Sequence, residues 1–163
     1  VKRCDVFDNP KKLCIVITGK ADNEEDKARH MRVITNHKWK NVFWYTDFLP
    51  YQDYCQLIGS ADLGVCLHAS SSKLDLPMKV VDMYGAGLPC LALDYKCISE
   101  LVKPNVFGLL FSDEEDLAIK LKDTFENDRI IGEWRNALLD DRKGNNWRKN
   151  WEDNALPIFS KFT

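Results

Sequence analysis

Five short apolar runs, alternating with helix-patterned stretches, constrain this chain more than any other feature. They are Leu13–Thr18, Val42–Tyr45, Leu63–Leu67, Cys90–Leu93 and Leu109–Phe111. None keeps a strict in–out alternation, which is the pattern of strands covered on both faces. Helical patterns fill the intervals at Glu24–His37, Tyr51–Ile58, Pro77–Tyr84 and Ile98–Val102. Further helices follow at Glu114–Glu126, Arg129–Asp140 and about Trp147–Phe159, the last interrupted by Pro157. Strand–helix alternation predicts a parallel sheet with right-handed crossovers, hence an α/β, Rossmann-like fold flanked by helices. No repeat, low-complexity tract or linker divides the chain, so one domain is expected over residues 1–163.

Composition narrows the partners. Lysine and arginine number 23 against 25 acids, a formal charge of −2. That balance argues against a nucleic-acid partner held by phosphate neutralisation. No apolar run approaches the ~18 residues of a membrane span, and no signal-peptide core opens the chain. The start at Val1, without methionine, reads as a piece of a longer protein. Six cysteines lie without C-x-x-C pairing, most of them in apolar runs, and read as buried, reduced thiols. Three scattered histidines supply no metal-ligand cluster, so no metal is expected.

In parallel sheets ligands gather at the carboxyl ends of the strands. The longest loop there, after Leu67, reads HASSSKLDL and runs into the helix at Pro77. Its serines, Ser70, Ser71 and Ser72, offer hydroxyl and backbone donors, and a helix N-terminus stabilises an anion. An ordinary loop whose serines cap the helix explains the same composition. Lys79 and Asp82 stand three residues apart on one helix face. They form either a solvated i,i+3 ion pair or two separate contacts, lysine to a phosphate and carboxylate to a vicinal diol. Asp75 precedes Asp82 by seven positions, and a helix reaching that far would place both on one face. Otherwise Asp75 caps the helix. A receiver-like domain is excluded, because the first and third strands end in Thr18-Gly19-Lys20 and Leu67-His68 rather than in acids.

The run from Pro77 to Pro89, P-x-K-x-x-D followed by G-L-P, resembles the P-x-K-x-x-E…G-x-P signature of GT-B glycosyltransferases. The longer string from Ala61 to Val102, ADLGVCLHASSSKLDLPMKVVDMYGAGLPCLALDYKCISELV, is similar to the chitobiosyldiphosphodolichol β-mannosyltransferase family. ITGK at Ile17–Lys20, Asp53-Tyr54, and WRKNWEDNALP match in the same order, so the likeness covers roughly residues 13–158. Ala21 stands where the family has glycine, and Val106-Phe107-Gly108 replaces its usual Asn-Gly before the fifth strand. Asp75 and Asp82 leave six residues between them, one short of the Glu-x7-Glu spacing of related retaining enzymes.

The resemblance implies the C-terminal, donor-binding half of a GT-B enzyme, with the acceptor domain outside this chain. It implies GDP-mannose as substrate without any cofactor, and transfer of mannose with inversion to dolichol-linked chitobiose. The protein would work on the cytosolic face of the endoplasmic reticulum, with a membrane anchor and acceptor site elsewhere and other dolichol-pathway transferases as partners. Lys79 would meet phosphate and Asp82 ribose, with Asp75 near the donor sugar. Lys20, His68, Ser70, Ser71, Ser72 and Glu100 would line the diphosphate or sugar. Trp44, Tyr45 and Phe48 would pack on guanine or, equally, in the core. The general base would lie outside this chain, leaving the isolated domain inactive. A non-catalytic nucleotide-sugar-binding or assembly module would carry the same motifs.

Overall fold

The computed structural model describes residues 13–19, 23–36, 41–69, 72 and 74–162. The strands are β1 (Leu13–Thr18), β2 (Val42–Asp47), β3 (Gly64–Cys66), β4 (Cys90–Leu93) and β5 (Gly108–Phe111). Helices α1 (Glu24–Thr35), α2 (Tyr51–Ser60), α3 (Met78–Gly85), α4 (Glu114–Glu126) and α5 (Asp128–Gly144) alternate with them or follow. A 3-10 turn covers Ile98–Glu100.

All strand pairings are parallel, and helices flank the sheets, as the alternation predicts. The ladder is divided, however. β1 pairs with β2, and β4 pairs with β3 and β5, with no ladder between the two groups among the described residues. β3, which would be the strand nearest the other ladder, is only three residues long.

Strand β4 is the centre of the core. Cys90, Leu91 and Ala92 are at most 1% exposed. Alternation sends Cys90 and Ala92 to one face, against Val80 of α3, Ile98 and Val102. Leu91 points to the other, against Phe111 and Trp134 of α5. Gly108 makes the pairing possible at φ +149°, because a β-carbon there would run into the Cys90 carbonyl oxygen.

β1 and β2 depart from the expectation of burial on both faces. Val16, Ile17, Phe43 and Tyr45 are all exposed. The physical reason is thin cover. Among the described residues, and apart from each other, these strands meet the mostly polar helix α1, which offers Ile34 as a buried residue and Met31, whose sulfur accepts from Thr46 Oγ1.

Helix ends follow local chemistry. Asn23 caps α1 by accepting from the Asp26 N–H, and Asp113 caps α4 by accepting from Glu115 and Asp116. Helix α5 reaches two other helices at their carboxyl ends. Arg135 Nη2 donates to the Ala61 carbonyl just beyond α2 at 2.6 Å, and Arg142 Nη1 to the last carbonyl of α3, Gly85, at 2.7 Å.

The last helical stretch is continuous rather than broken at Pro157. Helix α6 (Trp147–Asn150) passes through a π turn, Trp151–Ala155, into α7 (Leu156–Phe159). The wider turn precedes the proline, whose ring would clash with the carbonyl four residues back in a regular α-helix. Trp151 stacks between Trp147 and Phe159 there, with centroids at 6.4 and 5.5 Å. Among the described residues no helix is long and apolar enough to cross a membrane.

The cysteines divide. Cys66, Cys90 and Cys97 are buried, but Cys14 and Cys55 are exposed. Cys14 shares the thin cover of β1. Burial pushes the Cys90 thiol up to about 12, which keeps it protonated and inert.

Candidate functional site

Two cavities open at the strand ends and between α2 and α3. One, of about 260 Å³, is lined by Thr18 and Gly19 after β1, Phe48 and Leu49 after β2, Tyr51 and Tyr54 of α2, and Lys79. The other, of about 440 Å³, lies between α2 and α3 and is lined in part by Tyr51, Tyr54, Ile58, Val81 and Asp82. Tyr51 and Tyr54 belong to both.

Helix α3 begins at Met78, one residue later than the spacing predicts, with Pro77 as its N-cap in extended conformation. Proline's φ suits the entry, but its side chain makes no cap. Pro77 therefore supplies no capping side chain to the first-turn N–H groups, of which Val80 N–H donates to the Pro77 carbonyl at 3.0 Å, and the positive end of the helix dipole lies at this entry.

Lys79 and Asp82 sit together on the face of α3 that meets Tyr54 of α2. Nζ lies 3.8 Å from Oδ2 across an i,i+3 step, both side chains more than a third exposed. Such a solvated pair holds at most a few tenths of a kcal/mol. It is easily exchanged for a stronger anion. Tyr54 completes the group: its hydroxyl donates to Asp82 Oδ2 at 3.3 Å, and Lys79 Nζ lies 4.9 Å from its ring centroid. Burial, and then the Asp82 charge, push the Tyr54 phenol up to about 12, so at neutral pH it carries the proton it donates.

Asp75 is placed differently from the helical expectation. Because α3 starts at Met78, Asp75 lies outside the helix and does not share the Asp82 face. Its Oδ2 meets His68 Nε2 at 3.1 Å, and its Oδ1 accepts from Ser72 Oγ at 3.4 Å. Its backbone carbonyl accepts from Tyr95 Oη at 2.8 Å. The loop is thus tied to the end of β3 on one side and to the segment after β4 on the other.

Of the remaining residues singled out by sequence, Phe48 lines the smaller cavity and is exposed. Trp44 is half-buried and Tyr45 exposed within β2, opposite Ile15 and Val16, and neither lines a cavity described above. Glu100 closes, rather than opens, the short 3-10 turn and is exposed. Lys20, Ser70 and Ser71 lie outside the described residues. Tyr54 and Tyr95 are not among the site residues that the spacing picks out. Tyr54 reads in sequence as part of an apolar helix face with Leu57 and Ile58. Its polar tip is the signal, since a buried phenol needs a hydrogen-bond partner.

Residues 4–127 match the family model described as glycosyl transferases group 1. The chain belongs to the group 1 glycosyl transferases. Its parallel α/β architecture agrees with the C-terminal domain of a GT-B enzyme. It is similar to the Homo sapiens chitobiosyldiphosphodolichol beta-mannosyltransferase, 42% identical over 150 residues, covering 90% of this chain and 32% of that protein. The Dictyostelium discoideum protein of the same name is 39% identical over 153 residues, with 85% and 30% covered. UDP-glycosyltransferase TURAN of Arabidopsis thaliana is 41% identical over 153 residues, with 91% and 32% covered. The chain thus spans about a third of the length of these curated relatives. Every residue of the Lys79–Asp82–Tyr54 group falls within the family match.

Proposed function

We propose that this chain is the donor-binding part of a mannosyltransferase that uses GDP-mannose and acts on diphosphodolichol-linked chitobiose, inverting the anomeric centre. One observation carries the reading. In a group 1 glycosyl transferase chain, the start of α3 behind Pro77, a loosely held lysine and a carboxylate converge beside one cavity at the strand ends and another between α2 and α3. A sugar nucleotide presents this set with a diphosphate and a ribose diol. Lys79 leaves its weak pair with Asp82 for the phosphates, and the Asp82 oxygens accept from the two ribose hydroxyls.

In transfer, the sugar–phosphate bond breaks as the acceptor hydroxyl attacks, and negative charge grows on the departing diphosphate. Lys79 and the first-turn N–H groups of α3 stabilise that charge, as donors aimed at where it develops. Ser70, Ser71, Ser72 and Lys20 belong to the same strand-end surface in this reading, and the His68–Asp75 pair holds the loop beside the donor sugar. Phe48, exposed at the smaller cavity, is the residue for the guanine face. The base that takes the acceptor proton, the acceptor site and any membrane attachment belong to the rest of a longer protein at the cytosolic face of the endoplasmic reticulum. No metal or cofactor is required for this clamp.

The relatives' names favour mannose and dolichol in most cases, whereas that of TURAN carries UDP. Titration calorimetry of the chain with GDP, GDP-mannose and UDP-GlcNAc separates the donors. Guanine-nucleotide binding is expected, and a preference for UDP-GlcNAc overturns the mannosyl assignment. Asp82→Ala should weaken GDP by about tenfold or more, the loss of hydrogen bonds to a charged acceptor. Unchanged affinity leaves Asp82 as a surface ion-pair partner. No transfer is expected from this chain alone, and mannose appearing on a chitobiose acceptor in its presence would place the base within it.

A further inference from the structure

We propose that Tyr54 is the positioning residue of the donor site, holding the Asp82 carboxylate in the orientation that reads a ribose diol and keeping Lys79 available for phosphate. This rests on the donor-site reading above and deepens it. Tyr54 and Asp82 are 28 positions apart in the chain and come from different helices, α2 and α3. The phenol and the ammonium both approach the same oxygen, Oδ2, at 3.3 and 3.8 Å. Oδ1 has no partner among the described residues.

Freedom of rotation decides how well a carboxylate reads a diol. An aspartate on an exposed helix face turns broadly about its last torsion. A diol is read well only when the carboxylate plane is fixed, because both hydroxyls must find oxygens together. A neutral O–H on one oxygen fixes that plane without neutralising the charge. It also leaves room, since each carboxylate oxygen offers two acceptor directions. A lysine alone would do the reverse: it would swing with the carboxylate and compete with the ligand.

The ring performs a second task. Lys79 lies over its face at 4.9 Å, so the ammonium has an attractive seat besides Asp82. When a phosphate draws the lysine from Oδ2, the Tyr54 hydroxyl remains as the carboxylate's partner. The two cavities also meet at this side chain, with Lys79 on one and Asp82 on the other. A leucine would fill the gap between the helices but supply neither contact.

Calorimetry with GDP and 2′,3′-dideoxy-GDP tests this on the chain and on Tyr54→Phe and Tyr54→Leu, with thermal melts as the folding control. The unaltered chain should prefer GDP. Tyr54→Phe keeps the ring and loses the hydroxyl, so GDP should weaken about fivefold while the dideoxy nucleotide changes little. The preference contracts. Tyr54→Leu should weaken both nucleotides, because the seat for Lys79 is lost as well. A Tyr54→Phe chain with lower melting temperature but an unchanged GDP preference would reduce Tyr54 to packing and overturn the inference.

The two readings fail separately. If the unaltered chain discriminates and Asp82→Ala abolishes the discrimination while Tyr54→Phe does not, the positioning role alone is lost. If the unaltered chain binds both nucleotides equally, Asp82 does not hold the ribose and both readings fall. Incorporation of 3,5-difluorotyrosine at position 54 preserves the shape and brings the phenol's titration down towards neutrality. The preference for GDP should then fall as pH rises through that titration, whereas a packing role predicts no pH dependence.

Discussion

The β1–β2 and β3–β4–β5 ladders read alike in sequence and are built differently. LCIVIT is nearly as apolar as CLAL, with Thr18 its one polar residue. Yet Leu91 in β4 is fully buried, whereas Val16 and Ile17 in β1 are 40% and 45% exposed. Among the described residues β4 has a strand on each side and helices over both faces, whereas β1 has one strand and one mostly polar helix. Apolarity therefore marks where the chain extends, while burial depends on how many neighbours the topology supplies. The site lies between these two regimes. Thr18, Gly19 and Phe48 come from the lightly covered ladder, and Lys79 and Asp82 from a helix packed on the dense one.

Substitutions in β4 and β1 sharpen the contrast most. Leu91→Ala should cost roughly 2–5 kcal/mol in urea denaturation, as a deeply buried leucine does. Ile17→Ala should cost less than about 1 kcal/mol, because much of that side chain already meets water. Equal losses would break the comparison and show β1 to be as fully covered as β4.

A smaller effect is expected at the entry to α4, on the dense side. Backbone N–H donors at the helix start hold the Asp113 carboxyl below its ordinary range, and the Lys120 ammonium does the same for Asp116. Both acids therefore contribute stability that is full above the ordinary aspartate value, near pH 4, and fades as pH falls through their lowered values. The chemical-denaturation midpoint should fall from pH 5 to pH 2.5, and Asp113→Asn should flatten part of that fall. No change in slope would remove the cap from the account.

The smallest expected effect is at the Lys79–Asp82 pair itself. Lys79→Met should leave the melting temperature within about a degree, since the pair is solvated. It should nevertheless weaken GDP and lessen the salt dependence of binding. Function and stability separate here, as they do not in β4.

Much of this architecture is legible from the residues. The strand runs, the polar helices and the turn at Gly85–Gly87 stand close to where their patterns put them. The P-x-K-x-x-D spacing places Lys79 and Asp82 on one face because helical geometry is local. Asp75 shows the limit of that locality. Its placement depends on where α3 begins, and Pro77 as N-cap leaves it to His68 and Ser72. Tyr54 shows a second limit. A contact across 28 residues is set by how α2 and α3 are brought together, which no periodicity encodes. The division between ladders is of the same kind, because pairing depends on strand length and neighbours as well as on apolar content.

Arg135 and Arg142 give that last point a consequence. Two guanidinium groups on a single 17-residue helix grip the carboxyl ends of α2 and α3, the helices that carry Tyr54 and Asp82. Helix α5 thereby works as a caliper laid across the two helices, its Arg142 jaw closing within one turn of Asp82. Its own seat is Trp134, sunk against Leu91 and Phe111. A change in how Trp134 packs would move both jaws together and shift the distance between Tyr54 and Asp82.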